Sequence, residues 1–232
     1  MKAIYKRVIL KLSGEILGND GFDIERLNSI VSIIKDGYGL GVELGVVIGG
    51  GNIFRGIEGD RIGFDRVRGD QIGMLATVIN GLVLKELLNR EGIKAEVLSN
   101  IDVEFVERFS KERADKLLKD GYVILFVGGT SNPYFSTDSA AALKALELRA
   151  DAIIKITKVD GVFDKDPVKY RDARLYKEIS FDEVIEKNLK VMDQTAFALC
   201  REYKIPIRVI NYIPSTNLKR VLQGEEIGSI IR

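Results

Sequence analysis

Histidine and tryptophan are both missing from the 232 residues, and cysteine occurs once, as Cys200. Without histidine the commonest general base and metal ligand is gone, which excludes a Ser-His-Asp hydrolase and a histidine-ligated zinc site. Any metal must be held by oxygen ligands, and Mg²⁺ is the natural candidate. A single cysteine excludes an internal disulfide and suits a reducing compartment. Surplus charge is lacking too. Lys and Arg number 35 against 34 Asp and Glu, so no overall field draws the chain to nucleic acid or an anionic membrane. The apolar runs are strand-length, and no signal peptide opens the chain. The expectation is a soluble, cytoplasmic protein with neither nucleic-acid nor membrane partners.

What is present is a 46% hydrophobic chain long enough for a large core. Strands are expected over 4–12, 42–48, 95–98, 122–127, 152–156, 207–210 and 227–231. Helices are expected over 24–35 (capped by Asp23), 70–90, 110–119, 139–148, 181–186, 194–203 and 216–222. On the long helix Ile72, Leu75, Ala76, Ile79, Val83 and Leu87 mark the apolar side. Strands alternate with helices, and several strands are apolar throughout. That pattern calls for an α/β fold, a mostly parallel sheet sandwiched by helices. No repeat and no Ser-, Gly- or Pro-rich boundary divides the chain, so residues 1–232 read as one domain. Sites in such sheets lie beyond the carboxyl ends of the strands.

Polar loops occupy those ends. The first is Lys11-Leu12-Ser13-Gly14-Glu15, where a strand-end lysine beside Ser-Gly can reach a phosphate; alone, it equally describes a lysine before a turn. The second is Gly49-Gly50-Gly51-Asn52-Ile53-Phe54-Arg55-Gly56. Three successive glycines cost roughly 0.5–1 kcal/mol each in backbone entropy, so something is expected to pack directly on this backbone. Arg55 offers a planar fork for phosphate oxygens. Neither GxxxxGK[ST] nor GxGxxG is present. The third runs from Gly128 to Asp138, GGTSNPYFSTD, ahead of an alanine-rich helix. Asp138 alone reads as a helix cap. The loop before it, however, is longer and richer in donors than capping requires, and Tyr134 and Phe135 can meet a flat ring unless they pack in the core. A fourth loop, 157–174, carries Phe163, Asp164 and Asp166 and can form a site for adenine.

Lys11, Arg55 and Asp138 on donor-rich strand ends suit phosphoryl transfer, which is mostly positioning and charge neutralisation. A phosphate acceptor is already anionic at neutral pH. It needs no general base, which a chain without histidine readily accommodates.

The set KLSGE, VVIGGGNIFRG, residues 65–77 (DRVRGDQIGMLAT), GGTSNPYFSTD, KITKVDGVFDKDP and residues 190–193 (KVMD) resembles the bacterial uridylate kinases of the amino-acid-kinase superfamily, in order and over nearly the whole chain. The resemblance implies in-line transfer from ATP to UMP, giving ADP and UDP in pyrimidine nucleotide biosynthesis, with Mg²⁺ carried mainly on the ATP phosphates. It implies an acceptor-side N-terminal lobe and an ATP-side C-terminal lobe sharing one sheet. Lys11, Leu12, Ser13, Gly14, Gly51 and Arg55 would face the ATP phosphates, and Thr157, Phe163 and Asp166 the adenosine. UMP would meet Gly50, Asp70 (at its ribose) and the loop Thr130, Ser131, Asn132, Pro133, Tyr134, Phe135, Ser136 and Thr137. Lys11 would stabilise the transferred group, and Asp138 would orient Lys11 and assist the metal. The family also implies a homohexamer built from dimers, GTP activation and UTP inhibition. The loop corresponding to the GTP response, Gly18, Asn19, Asp20, Gly21, Phe22 and Asp23, is about one residue short of the family pattern. Tyr134 stands where phenylalanine is common. Lys158 is open between reaching phosphates and being solvated. Two other readings are a carboxylate or carbamate acceptor on the same fold, and a nucleotide-binding protein without turnover. Asp70 and the NPYFST loop argue against the first, and Lys11, Arg55 and Asp138 together argue against the second.

Overall fold

In the computed structural model, which describes residues 2–54 and 62–232, strand β1 (Arg7–Leu12) runs through the middle of a nine-stranded sheet. Its neighbours are β2 (Glu43–Ile48) and β6 (Ala152–Thr157), both parallel to it. Outward from β2 lie β5 (Val123–Val127), β3 (Ala95–Ser99) and the two-residue β4 (Glu107–Arg108). Outward from β6 lie β10 (Ile207–Asn211), β11 (Ser229–Ile231) and β9 (Glu178–Ile179). Within this sheet, among the described residues, only the β10–β11 pairing is antiparallel. Strands β7 (Val162–Phe163), within the expected 157–174 loop, and β8 (Leu175–Tyr176), just beyond it, form a separate small ribbon.

The alternation of a strand explains the two cores. Val8, Leu10 and Leu12 point to one face with Val46, Ile48, Ile154 and Ile156. Helices α1 (Ile24–Tyr38), α2 (Arg66–Arg90) and α7 (Asn217–Leu222) cover that face through residues such as Ile30, Leu84 and Leu218. Ile9, Val47 and Ile153 point to the other face, under α3 (Lys111–Lys119), α4 (Thr137–Glu147), α5 (Phe181–Glu186) and α6 (Gln194–Glu202). Residues 11 and 155 share the parity of 9 and 153, so they face α4.

Two expectations change. The long helix begins at Arg66, capped by Asp65, four residues before the expected start. Its marked stripe faces the core only in part: Ala76 is buried and Val83 and Leu87 pack against the core, but Leu75 and Ile79 are exposed, while Met74, Val78, Leu84 and Leu88 are buried. The helix is apolar almost all round, so periodicity does not decide its inner face. By length and composition it passes for a membrane span. Here its buried side carries core residues and two polar anchors. Asn80 donates to the Gly49 carbonyl at 2.7 Å, and Thr77 Oγ1 accepts from the Gly128 N–H at 2.8 Å.

Candidate active site

Four adjacent central strands, β5, β2, β1 and β6, end on the same side of the sheet, and the four polar loops follow them. Lys11 and Lys155 are register partners across β1 and β6. Lys11 is buried and Lys155 largely so, and both reach the carboxylate of Asp138 in the first turn of α4. Lys11 Nζ lies 2.8 Å from Oδ1, and Lys155 Nζ donates to Oδ1 and Oδ2 at 3.0 Å each. Burial by itself would raise the carboxyl's pKa; Lys11 and Lys155 outweigh it and hold Asp138 below the usual range. Burial, and then the Lys11 charge, push Lys155 down from 10.5 to about 8. Two cations against one anion leave the cluster with a net charge of +1 in a poorly solvated place, suited to an incoming anion.

Asp138 is not the helix cap. Ser136 is: its Oγ accepts the Asp138 N–H at 2.9 Å, and α4 begins at Thr137. With capping done by Ser136, the Asp138 side chain is free to meet both lysines. Ser136 Oγ also bonds the Asp193 carboxylate, which accepts from Ser139 Oγ at 3.0 Å and caps α6 through the Ala196 N–H at 2.7 Å. Lys155 and Asp193 are the participants that the sequence reading left without roles. A lysine in an otherwise apolar strand, one register step from Lys11, is the signal that pairing supplies and sequence order does not.

The 128–137 loop is exposed and held at several points. Gly128, Gly129, Ser131 and Tyr134 all have positive φ, +78°, +56°, +66° and +70°. For the non-glycine pair, that conformation costs about 1–2 kcal/mol each. Asp70 Oδ2 accepts the Tyr134 N–H at 2.7 Å while pairing with Arg66, and Asn100 donates to the Gly129 carbonyl at 2.5 Å. Asp70 thus tethers the loop to α2. Tyr134 and Phe135 are 67% and 49% exposed, so neither is a core residue. Thr130 and Asn132 bond each other across a turn.

The glycine run is packed on by protein. A Cβ on Gly49 would meet the Gly14 nitrogen at 2.9 Å, and one on Gly50 would meet Ala76 Cβ and the Gly73 carbonyl at 2.8 Å. A Cβ on Gly14 would in turn meet Gly51 N and Asn52 Oδ1, each at 2.5 Å. Backbone therefore lies against backbone where Ser13-Gly14 meets 49–52. The Leu12 side chain is in the core, so only its backbone can face a ligand. Arg55 lies outside the described residues. Asn52 and Asn80 exchange amide hydrogen bonds of 3.1 and 2.7 Å, and Asn52 also donates to the Gly21 carbonyl at 3.0 Å. The Gly18–Asp23 loop is thereby docked on the glycine loop; within it Asp23 caps α1 and Asn19 accepts from Arg26.

Thr157, Phe163 and Asp166 line one cleft of about 470 Å³ together with residues 187–191. Asp166 accepts the Val168 N–H at 2.9 Å, which shapes the turn there. Lys158 is about half exposed, 3.8 Å from Glu15 Oε2. Among the described residues no group of three His, Cys, Asp or Glu side chains converges to hold a metal. Both Asp138 oxygens face lysines. The donor set therefore suits a divalent ion that arrives on a polyphosphate better than one resident on side chains.

The model of the amino acid kinase family matches residues 6–211. The chain belongs to the amino acid kinase family. It is 48% identical to a uridylate kinase of Colwellia psychrerythraea over 234 aligned positions, 99% of this chain and 95% of that one. Identity and coverage are the same for a uridylate kinase of Pseudoalteromonas atlantica. Among solved structures of the family, the UMP kinase of Bacillus anthracis superposes with a TM-score of 0.95 at 37% identity, covering 98% of this chain and 96% of that one. The uridylate kinase of Archaeoglobus fulgidus gives 0.74 at 27% identity, covering 97% and 99%. The family fold is the mostly parallel, helix-sandwiched sheet described above.

Proposed function

We propose that the protein is a UMP kinase, transferring the γ-phosphoryl group of ATP to the phosphate of UMP to give ADP and UDP in cytoplasmic pyrimidine nucleotide synthesis. The carrying observation is the buried Lys11–Asp138–Lys155 cluster, with its net positive charge, set between the 128–137 loop and the 470 Å³ cleft. Near-complete alignment with uridylate kinases at 48% identity supports the substrate.

An oxygen of the UMP phosphate attacks the γ-phosphorus in line; the bond to the β-bridging oxygen breaks, and its electron pair leaves on ADP. The acceptor is an anion, so no proton has to be removed. Asp138 is unsuited to act as a base, with its pKa held low and both oxygens engaged by cations. Lys11 is the group to follow charge onto the transferred phosphoryl, beside the backbone of 12–14 and Gly51, with Arg55 on the same loop. Mg²⁺ bound to the ATP phosphates would neutralise further charge. Thr157, Phe163 and Asp166 would hold adenosine. Gly50, Asp70 and Thr130–Thr137 would hold UMP, with Asp70 steadying the loop at Tyr134 as well as facing the ribose.

Assembly into a homohexamer with GTP and UTP as effectors belongs to the same reading. The exposed Leu75 and Ile79 on α2 support association with a second copy. The Gly21–Asn52 hydrogen bonds give the 18–23 loop a direct hold on the glycine loop.

ADP formation measured with Mg-ATP and UMP, CMP, acetylglutamate or no acceptor tests the proposal. UMP should give turnover far above the blank. A UMP rate equal to the blank overturns it, and acetylglutamate turnover would transfer the reading to a carboxylate acceptor.

A further inference from the structure

Lys155 spends all its hydrogen-bonding capacity inside the protein. An ammonium has three N–H donors. Those of Lys155 go to Asp138 Oδ1 and Oδ2, at 3.0 Å each, and to the carbonyl of Val191. Lys11 is different: among the described residues its ionic partner is Asp138 alone, which leaves donors available to a ligand. Two lysines in register on adjacent strands therefore have different work, one facing the reaction and one anchoring.

The anchor joins three separate elements. Lys155 stands on β6, Asp138 on α4, and Val191 in the segment before α6 that walls the nucleotide cleft. Two residues on, Asp193 ties the same segment back to α4 through Ser136 and Ser139. Keeping a buried ammonium is costly unless it is fully bonded. A side chain that only filled space here would be better apolar, like Ile153 and Ile154 beside it.

We infer that Lys155 is a positioning residue for phosphoryl transfer, which fixes Asp138 against Lys11 and holds the Val191 wall of the nucleotide cleft to the transfer site. This rests on the kinase reading above and adds to it a residue that acts through Asp138 and Val191. The role is specific. Loss of Lys155 misplaces Lys11 and loosens the donor side, while the acceptor loop keeps its own holds on Asp70, Thr77 and Asn100.

Steady-state kinetics on the full-length protein and its Lys155→Met and Lys155→Arg variants, with circular dichroism and thermal midpoints alongside, test this. The methionine variant should lose about tenfold to a hundredfold in kcat. Its KM for ATP should rise severalfold and its KM for UMP stay within about twofold, with the fold intact. The arginine variant, which keeps the charge and the donors, should recover much of the kcat. A methionine variant with wild-type kcat and wild-type KM for ATP overturns the inference, as does a rise in both KM values at unchanged kcat. If the methionine variant does not fold, Lys155→Gln is read by the same criteria. Wild-type protein without UMP-dependent turnover would instead overturn the kinase reading, so the two failures are separable.

Discussion

Lys11 and Lys155 sit opposite each other on parallel strands and share one carboxylate, Asp138, which stands on a helix from elsewhere in the chain. Neither the pairing nor the sharing is visible in sequence order, since the three residues are spread over 145 positions.

Replacing Asp138 by asparagine removes the anion between two buried cations. Turnover should fall by at least about a hundredfold, and stability should drop by roughly 3–5 kcal/mol because both ammoniums lose their counter-charge. Thermal melts and ADP assays check this together. The stability loss should shrink above pH 8, where Lys155 can shed its proton; a loss that is independent of pH contradicts the shared-carboxylate account.

The pH dependence of Lys155 follows from its pKa, pushed from 10.5 to about 8, with Lys11, Asp138 and Asp193 as the charged groups around it. Its folded value lies below its unfolded one. Its contribution to stability is therefore fully present above 10.5 and is lost as pH falls through about 8. Activity should move the opposite way, with kcat/KM falling as pH rises through about 8 and the ammonium is neutralised. Rate and melting profiles of wild type and Lys155→Met across this window check both signs; the variant should lack both trends.

Asp70 holds the 128–137 loop by the Tyr134 N–H. Asp70→Asn weakens that charge-assisted bond, worth roughly 1.5–3 kcal/mol. The KM for UMP should rise by about tenfold or more, with the KM for ATP little changed. Initial-rate measurements with each substrate varied in turn decide it, and equal rises in both KM values count against the tether.

Gly50→Ala drives a methyl into Ala76 Cβ and the Gly73 carbonyl, each at 2.8 Å. The clash should destabilise the fold by about 1–3 kcal/mol. Denaturant unfolding measures it. Gly73→Ala is the control, because a Cβ there has open space around it.

The fold was largely legible because its strands are apolar runs separated by helices with clear caps. Asp23, Ser110, Ser180 and Asp193 all cap the helices that follow them. The inner face of α2 was not legible, since Leu75 and Ile79 are as apolar as the buried Val78 and Leu84. At the site, local sequence marked the strand-end loops but misassigned the cap to Asp138, because Ser136 and Asp138 are both good capping residues and only three-dimensional contacts choose between them. Three successive glycines call for something packed directly on their backbone, and at Gly49 and Gly50 the protein itself supplies it, through the backbone of Gly14 and Gly73 and the Ala76 Cβ. Lys155 was hidden for the same reason: a single lysine in a strand has no meaning until its neighbour across the sheet is known.

The positive excess of the Lys11–Asp138–Lys155 cluster has a consequence for the protein's lifetime. A polyanion settling beside it adds free energy to the folded chain and none to the unfolded one, by RT ln(1 + [L]/Kd). At a hundred times the dissociation constant that is about 2.7 kcal/mol, a large share of the margin that keeps a domain folded. A nucleotide bound there would therefore lengthen each molecule's survival of heat and proteolysis, and a cell short of nucleotide would hold less of this protein without changing how much it makes.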